Sequence, residues 1–315
     1  MDAATFLISL LNGLSVGLLL FMLASGLTLI FSMMGVLNFA HASFYMLGAY
    51  AAFSIAQRFG FWWGLLLAPL AVGLAGAAFE RWVLRRVQGF GHLPELLITF
   101  GLAFIVLETV QLVWGRQALE FKPPASLAGP WFTVVDLPGS LGLAWGGPPA
   151  ACKTVAGAVC TQFGQFRAFG MALAVGMLVA LWLLLKRTRV GLVIRAALTH
   201  PEMVETLGHD LPRVRMLVFG GGTALAALAG VVGGVLRVTE PSMALAVGSL
   251  VFAVIVIGGM GSLAGAFVAS LALGLIESFA VGSERLAPVA AVLPYLLLLG
   301  MLLVRPRGLL GTREG

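Results

Sequence analysis

The sequence predicts an all-α polytopic membrane protein with about 8–9 transmembrane or re-entrant helices and a possible internal repeat. Three observations carry this. Hydrophobic residues make up 60% of the 315 residues and charged ones only 10%, against about 25% charge in a soluble domain. The mean hydropathy is +1.03. The few charges leave long charge-free runs at 3–57, 59–79, 168–185, 216–236, 241–276 and 286–304. This composition excludes a soluble globular enzyme, a disordered chain and a disulfide-framework protein, because none of these can be built with so little charge and so much apolar surface.

About 20 apolar residues cross a bilayer core as a helix, since a rise of 1.5 Å per residue must cover about 30 Å. The first run therefore holds two crossings, broken near Met33–Asn38. The run 241–276 is too long for one crossing and is interrupted by Gly258-Gly259-Met260-Gly261-Ser262. The expected elements lie near 5–32, 36–56, 61–81, 94–114, 168–186, 214–236, 243–258, 262–282 and 287–304, within one transmembrane domain covering 1–315.

Short basic loops set orientation. Arg81, Arg85 and Arg86, the cluster Lys186, Arg187, Arg189, Arg195, Arg213 and Arg215, and the tail Arg305, Arg307 and Arg313 are all expected in the cytoplasm. Nine crossings then leave the N-terminus, with Asp2, outside. The net charge of +6 reads as topology, and without a long basic run no nucleic-acid partner is expected. The extracytoplasmic loop 115–167 carries Pro123, Pro124, Pro130, Pro138, Pro148 and Pro149, which predicts irregular structure. Cys152 and Cys160 lie in it, where an oxidising compartment permits a disulfide; two separate thiols are the alternative.

Several patterns resemble catalytic motifs without their context. Gly147 to Thr154 approximates a phosphate-binding loop, but Cys152 replaces the second glycine and no strand precedes it. ATP, if used, must bind another subunit. Gly13-Leu14-Ser15-Val16-Gly17 matches a serine-nucleophile pattern, with His41 as a base for an intramembrane protease. The plainer reading is a small-residue helix-packing face. Glu108 and Glu277 are the only acids that suit a proton relay in a stand-alone transporter, and no cluster has metal-ligand spacing.

Three stretches carry the functional information. The segment 26–50 sets Asn38, His41, Ser43 and Tyr45 in apolar surroundings, where polar groups need partners or a wet path. They serve a substrate pathway or cap the broken helix. In the cytoplasmic loop 187–214, Pro201 and Glu202 suit a helix start and Gly208 a stop; Met203, Val204 and Leu207 share one face fit to dock in a soluble partner's groove. An interfacial helix lying on lipid is the alternative. Gly258, Gly259 and Gly261 mark a second break, of the kind found around transport paths.

These residues resemble the permeases of branched-chain amino acid ABC transporters of the LivH type. The resemblance rests on Asn38-Phe39-Ala40-His41 with Met46-Leu47-Gly48-Ala49-Tyr50, on Arg189-Val190-Gly191, Arg195-Ala196 and Glu202–Gly208, on Gly258–Ser262 with Gly265, Gly274 and Glu277, and on Arg305–Gly311. It implies a permease subunit, not itself an enzyme and without a cofactor. Such a subunit moves branched-chain amino acids across a bacterial inner membrane by alternating access. Implied partners are a second permease, two ATP-binding cassette subunits and an extracytoplasmic solute-binding protein. The resemblance also implies an ATPase contact at Gly191, Arg195, Glu202 and Gly208. Ala42, Leu192 and Thr199-His200 depart from the family pattern. Urea, short amides and other amino acids are the alternative substrates.

Overall fold

The nine apolar segments all form helices, and glycines end several of them. A computed structural model describes residues 3–137, 140–150, 152, 155, 159–199 and 201–311. Asp2, His200, Arg313 and part of the phosphate-loop look-alike (Ala151, Lys153 and Thr154) lie outside the described residues. Helix α1 (Ala3–Met34) has no proline or charge to interrupt it and stops at Gly35, whose φ of 67° is left-handed. Helices α2 (His41–Phe59) and α3 (Phe61–Phe79) turn at Gly60, whose N–H donates to the Ala56 carbonyl. A π turn, Glu80–Leu84, prolongs α3. Then come α4 (His92–Trp114), α5 (Gln165–Arg187), α6 (Arg189–Thr199) and α7 (Pro201–Thr206). Helices α8 (Leu211–Leu236), α9 (Met243–Gly258), α10 (Leu263–Val281) and α11 (Leu293–Val304) complete the chain.

Among the described residues seven helices are long and apolar enough to cross a membrane: α1, α3, α4, α5, α8, α10 and the segment ending in α11. Helix α9 has 16 residues, a rise of about 24 Å. Helix α2 is central and lined with buried His41, Ser43, Tyr45 and Tyr50.

The core is built on close helix contacts. A methyl group on Gly13 or Gly17 would lie 2.9 Å from the Cα of Leu275 or Leu271 on α10. The Gly-x-Ser-x-Gly pattern is thus a helix-packing face, as small residues permit. Gly230 on α8 leaves no room for a Cβ beside the Tyr45 carbonyl of α2. Paired ends define two layers. One holds Asn12 beside Arg167, Trp114 beside Ser54, and Leu119 bridged to Thr239. The opposite layer holds Ser32 bonded to Gly261, Arg85 bonded to Pro212, and Leu309 bonded to Ile257. The described residues of the three basic clusters share this second layer, the single side on which the charge pattern expects them.

The loop 115–167 departs from the expectation of irregular structure. It folds a three-stranded antiparallel sheet, order β2-β1-β3, from β1 (Pro130–Leu137), β2 (Ser140–Trp145) and β3 (Val159–Gly164). The β-branched and aromatic run Phe132–Val135 outweighs the prolines: Pro130 opens β1, where its missing N–H is harmless, Pro123, Pro124, Pro148 and Pro149 lie outside the strands, and Pro138 lies outside the described residues. Cys152 and Cys160 are disulfide-bonded, with Cα atoms 6.1 Å apart.

Candidate functional site

The break after α1 builds the site. Residues 35–40 lead back from the end of α1, so that α2 starts at depth. His41 Nε2 lies 3.0 Å from the Leu23 carbonyl oxygen. Leu23 precedes the end of α1 by eleven residues, about 16 Å of helix rise. Asn38 caps the new helix: its Oδ1 accepts from Ala40 N–H at 3.1 Å and its carbonyl from His41 N–H at 3.1 Å. The start of α2 is tied to α4 by Phe39 N–H donating to Thr99 Oγ1 and Ser43 Oγ donating to the Ala103 carbonyl, both at 3.4 Å.

These residues border a cavity of about 390 Å³ between α2, α4, α9 and α11. Its walls are mainly apolar, from Leu27, Phe100, Phe104, Leu107, Val251 and Phe252. Two enclosed polar atoms on it lack a partner among the described residues, Asn38 Nδ2 and His41 Nδ1. A carbonyl only accepts, so His41 Nε2 is the donor to Leu23 and Nδ1 of the neutral ring is left as an acceptor. Both atoms are enclosed by protein beside the cavity, so a small rearrangement of the Asn38 or His41 side chain is needed to bring either to a ligand. Ser249 Oγ and Tyr295 Oη, 2.6 Å apart, add a hydroxyl pair.

The structure brings Asn38, His41 and Ser43 together but sets Gly258, Gly259 and Gly261 apart. None of the three glycines lines this cavity. They form the junction between α9 and α10, and the chain's own tail covers it. Leu309 N–H donates to the Ile257 carbonyl at 2.8 Å, and Leu310 N–H to Gly258 at 3.0 Å. Gly259 and Gly261 have φ of 99° and 83°, and Gly259 packs on Gly311 without room for a side chain.

The basic loop also differs in part from expectation. Its main helix is α6, 11 residues long, and not the shorter α7. Ile194 and Ala197 of α6 and Val204 of α7 are buried with Met33, Leu211 and Val218. Val204 therefore anchors the segment, whereas Met203 and Leu207 are 65% and 77% exposed. Gly191 packs against the last turn of α5 too closely for any side chain, with its N–H donating to Thr188 Oγ1 at 3.0 Å. Arg195 Nε donates to the Gly191 carbonyl at 3.5 Å, Glu202 is exposed in the first turn of α7, and Gly208, at φ 84°, ends that helix.

Other candidates separate. Ser15 and His41 line different cavities, so they make no nucleophile–base pair. Glu108 is exposed on α4, while Glu277 faces Arg237 at the far end of α10. Among the described residues no group of His, Cys, Asp and Glu is placed to hold a metal. The lining from α4 and α11 was not legible beforehand, because Phe100, Phe104 and Tyr295 read as ordinary span residues.

Comparison with known proteins agrees over most of the chain. A family model described as the permease component of branched-chain amino acid transport systems matches residues 9–304. The high-affinity branched-chain amino acid permease LivH of Escherichia coli K12 is 28% identical, covering 98% of this chain and 96% of that protein. BraD of Pseudomonas aeruginosa, of the same description, is 30% identical over 98% of this chain and 97% of its own. A probable LivH of Methanocaldococcus jannaschii is 27% identical over 93% and 89%. No solved structure matches. With its multi-pass helices, its family match and these full-length relatives, the chain belongs to the permease components of branched-chain amino acid transport systems and is a transport subunit, not an enzyme.

Proposed function

We propose that this chain is the membrane-spanning subunit of an ATP-driven importer that carries branched-chain amino acids across a bacterial inner membrane by alternating access. The observation that carries the reading is the break before α2, where Asn38, His41 and Ser43 border an apolar cavity and Asn38 Nδ2 and His41 Nδ1 stand enclosed and unpaired beside it. An apolar cavity with few polar groups suits a small amphiphile. Asn38, His41 and Ser43 then belong to the substrate path. Gly258, Gly259 and Gly261 shape that path only indirectly, by holding α9.

A second permease, two ATP-binding cassette subunits and an extracytoplasmic solute-binding protein complete the importer. The basic layer faces the cytoplasm, by the bias of arginine and lysine. There Met203 and Leu207 offer an apolar face to a nucleotide-binding partner, held by the Gly191 corner, Arg195, Glu202 and the Gly208 stop. Gly208→Arg places a long cation in the open space beside that face and, at the left-handed φ of 84°, strains the stop of α7 as well. The expected result is a normally inserted complex in which ATP hydrolysis continues while uptake of labelled leucine falls about tenfold or more, the equivalent of 1.4 kcal/mol of lost coupling. Normal uptake removes the docking assignment. Competition by leucine, urea, short amides and aromatic amino acids in the same assay fixes the substrate. Uptake that survives deletion of the ATPase overturns the importer reading.

A further inference from the structure

A second cavity, of about 410 Å³, lies at the opposite end of the helices from the basic layer. Its size suits a small organic ligand, at the lower end of the ~300–1,000 Å³ of typical sites. Its polar lining is mixed in charge: Asn12 from α1, Arg167 from the first turn of α5, Arg237 after α8 and Glu277 from α10. Ile8, Val16 and Leu236 supply an apolar wall. Four separate parts of the fold thus converge their ionisable or amide groups on one space, although 32 charges serve the whole chain.

The groups satisfy one another only in part. Glu277 Oε1 is 3.9 Å from Arg237 Nη2, longer than a hydrogen bond. Glu277 Oε2 is enclosed and has no hydrogen-bond partner among the described residues. Arg167 donates through Nη1 to Asn12 Oδ1, one of the five N–H donors of a guanidinium. An enclosed carboxylate oxygen without a donor is costly, and an ammonium group supplies what it lacks. The two guanidinium groups suit a carboxylate, which they bind in a planar fork.

We propose that this cavity binds the zwitterionic head of an α-amino acid, with Glu277 on the ammonium, Arg167 and Arg237 on the carboxylate, and the aliphatic side chain on Ile8, Val16 and Leu236. The proposal rests on the importer reading and extends it: this is the receiving station at the outer face, before the deeper uncharged cavity. Thr161 of β3 also borders it, so the outer sheet stands at its rim.

The test uses the full chain in native membrane vesicles and photo-leucine, the diazirine analogue of leucine, with the labelled peptides located by mass spectrometry. Labelling is expected near residues 8–16, 236–237 and 277–282. Excess leucine is expected to abolish it, while isoamylamine and 4-methylpentanoate, each lacking one charged group, compete at least about tenfold more weakly, the equivalent of 1.4 kcal/mol. Glu277→Gln is expected to lower labelling by a similar factor. The analogue comparison needs no variant, so it decides the matter even if Glu277→Gln fails to insert. Equal competition by either analogue, or labelling elsewhere only, overturns the site. Leucine uptake by the unaltered importer, measured in parallel, tests the importer reading separately. Uptake without labelling here sinks the site alone, and labelling here without uptake sinks the importer reading alone.

Discussion

Arg85→Ala is expected to be among the most damaging substitutions in the basic layer. Glu80 opens the π turn after α3, and its side chain is fully buried. Arg85 Nη2 is 2.9 Å from Glu80 Oε2, and Nε is 3.4 Å from Oε1. The same Nη2 donates to the Pro212 carbonyl at 2.7 Å, at the start of α8. Arg85 thus neutralises a buried acid and ties α3 to the helix that follows the docking segment. Removing one member of a buried pair costs about 3–5 kcal/mol, because a bare charge remains. Arg85 is 34% exposed, so water replaces part of the loss and about 3 kcal/mol is the expected figure. The double variant Glu80→Leu with Arg85→Met removes both charges and is expected to recover all but about 1–1.5 kcal/mol. Lys122→Ala is the control: its partner Glu120 and itself are 80% and 72% exposed, and such pairs contribute below about 1 kcal/mol. The assay is unfolding of the purified chain in a fixed detergent, followed by tryptophan fluorescence. If Arg85→Ala unfolds like Lys122→Ala, or the double variant is no better than the single, the buried-charge account is wrong.

Two further outcomes follow from the packing. Gly230→Ala drives a methyl into the Tyr45 carbonyl, which is backbone and cannot turn away, whereas Gly221→Ala meets nothing within 4 Å; the first is expected to abolish monodisperse elution on size exclusion and the second to leave it unchanged. Cys152→Ser opens a disulfide spanning a separation of 8 residues, for which loop-closure entropy gives about 2.5 kcal/mol. The expected readout is faster proteolysis within 130–164 while the helices stay protected.

Much of the helical plan was legible because charge punctuates it. Arg58, Glu80, Arg167, Lys186, Arg215 and Arg237 sit at or near helix ends, and a helix that must stay in apolar surroundings leaves little other place for them. The sheet was not legible, because its prolines were weighed as a group. Their positions matter more: Pro130 begins a strand and Pro123, Pro124, Pro148 and Pro149 lie outside all three, while the run Phe132–Val135 is β-branched and aromatic. The proposed docking face was half legible. Met203, Val204 and Leu207 share a helical face by spacing, but a helix as short as Pro201–Thr206 turns Val204 inward to Met33 and Ile194. Sequence alone cannot choose which apolar residue meets the protein's own core and which meets a partner.

The two glycine-marked breaks look alike as sequence, and their difference bears on where the proposed path runs. Each begins with a glycine at positive φ, Gly35 at 67° and Gly259 at 99°, and each leads into a helix rich in small residues. At the second break the freed carbonyls of Ile257 and Gly258 accept from Leu309 and Leu310, and Gly308 and Gly311 are the residues that let the tail approach so closely. Two motifs some fifty residues apart in sequence are therefore one structural unit, closed by the chain itself. At the first break Asn38 spends its oxygen on the new helix and keeps Nδ2 unpaired, and His41 keeps Nδ1. An irregular backbone at membrane depth persists only where protein or water satisfies it. The second break meets that condition with the chain's own tail and the first with a cavity. Of the two breaks it is therefore the first, at Asn38 and His41, that keeps unpaired polar side-chain atoms, as the proposed substrate path requires.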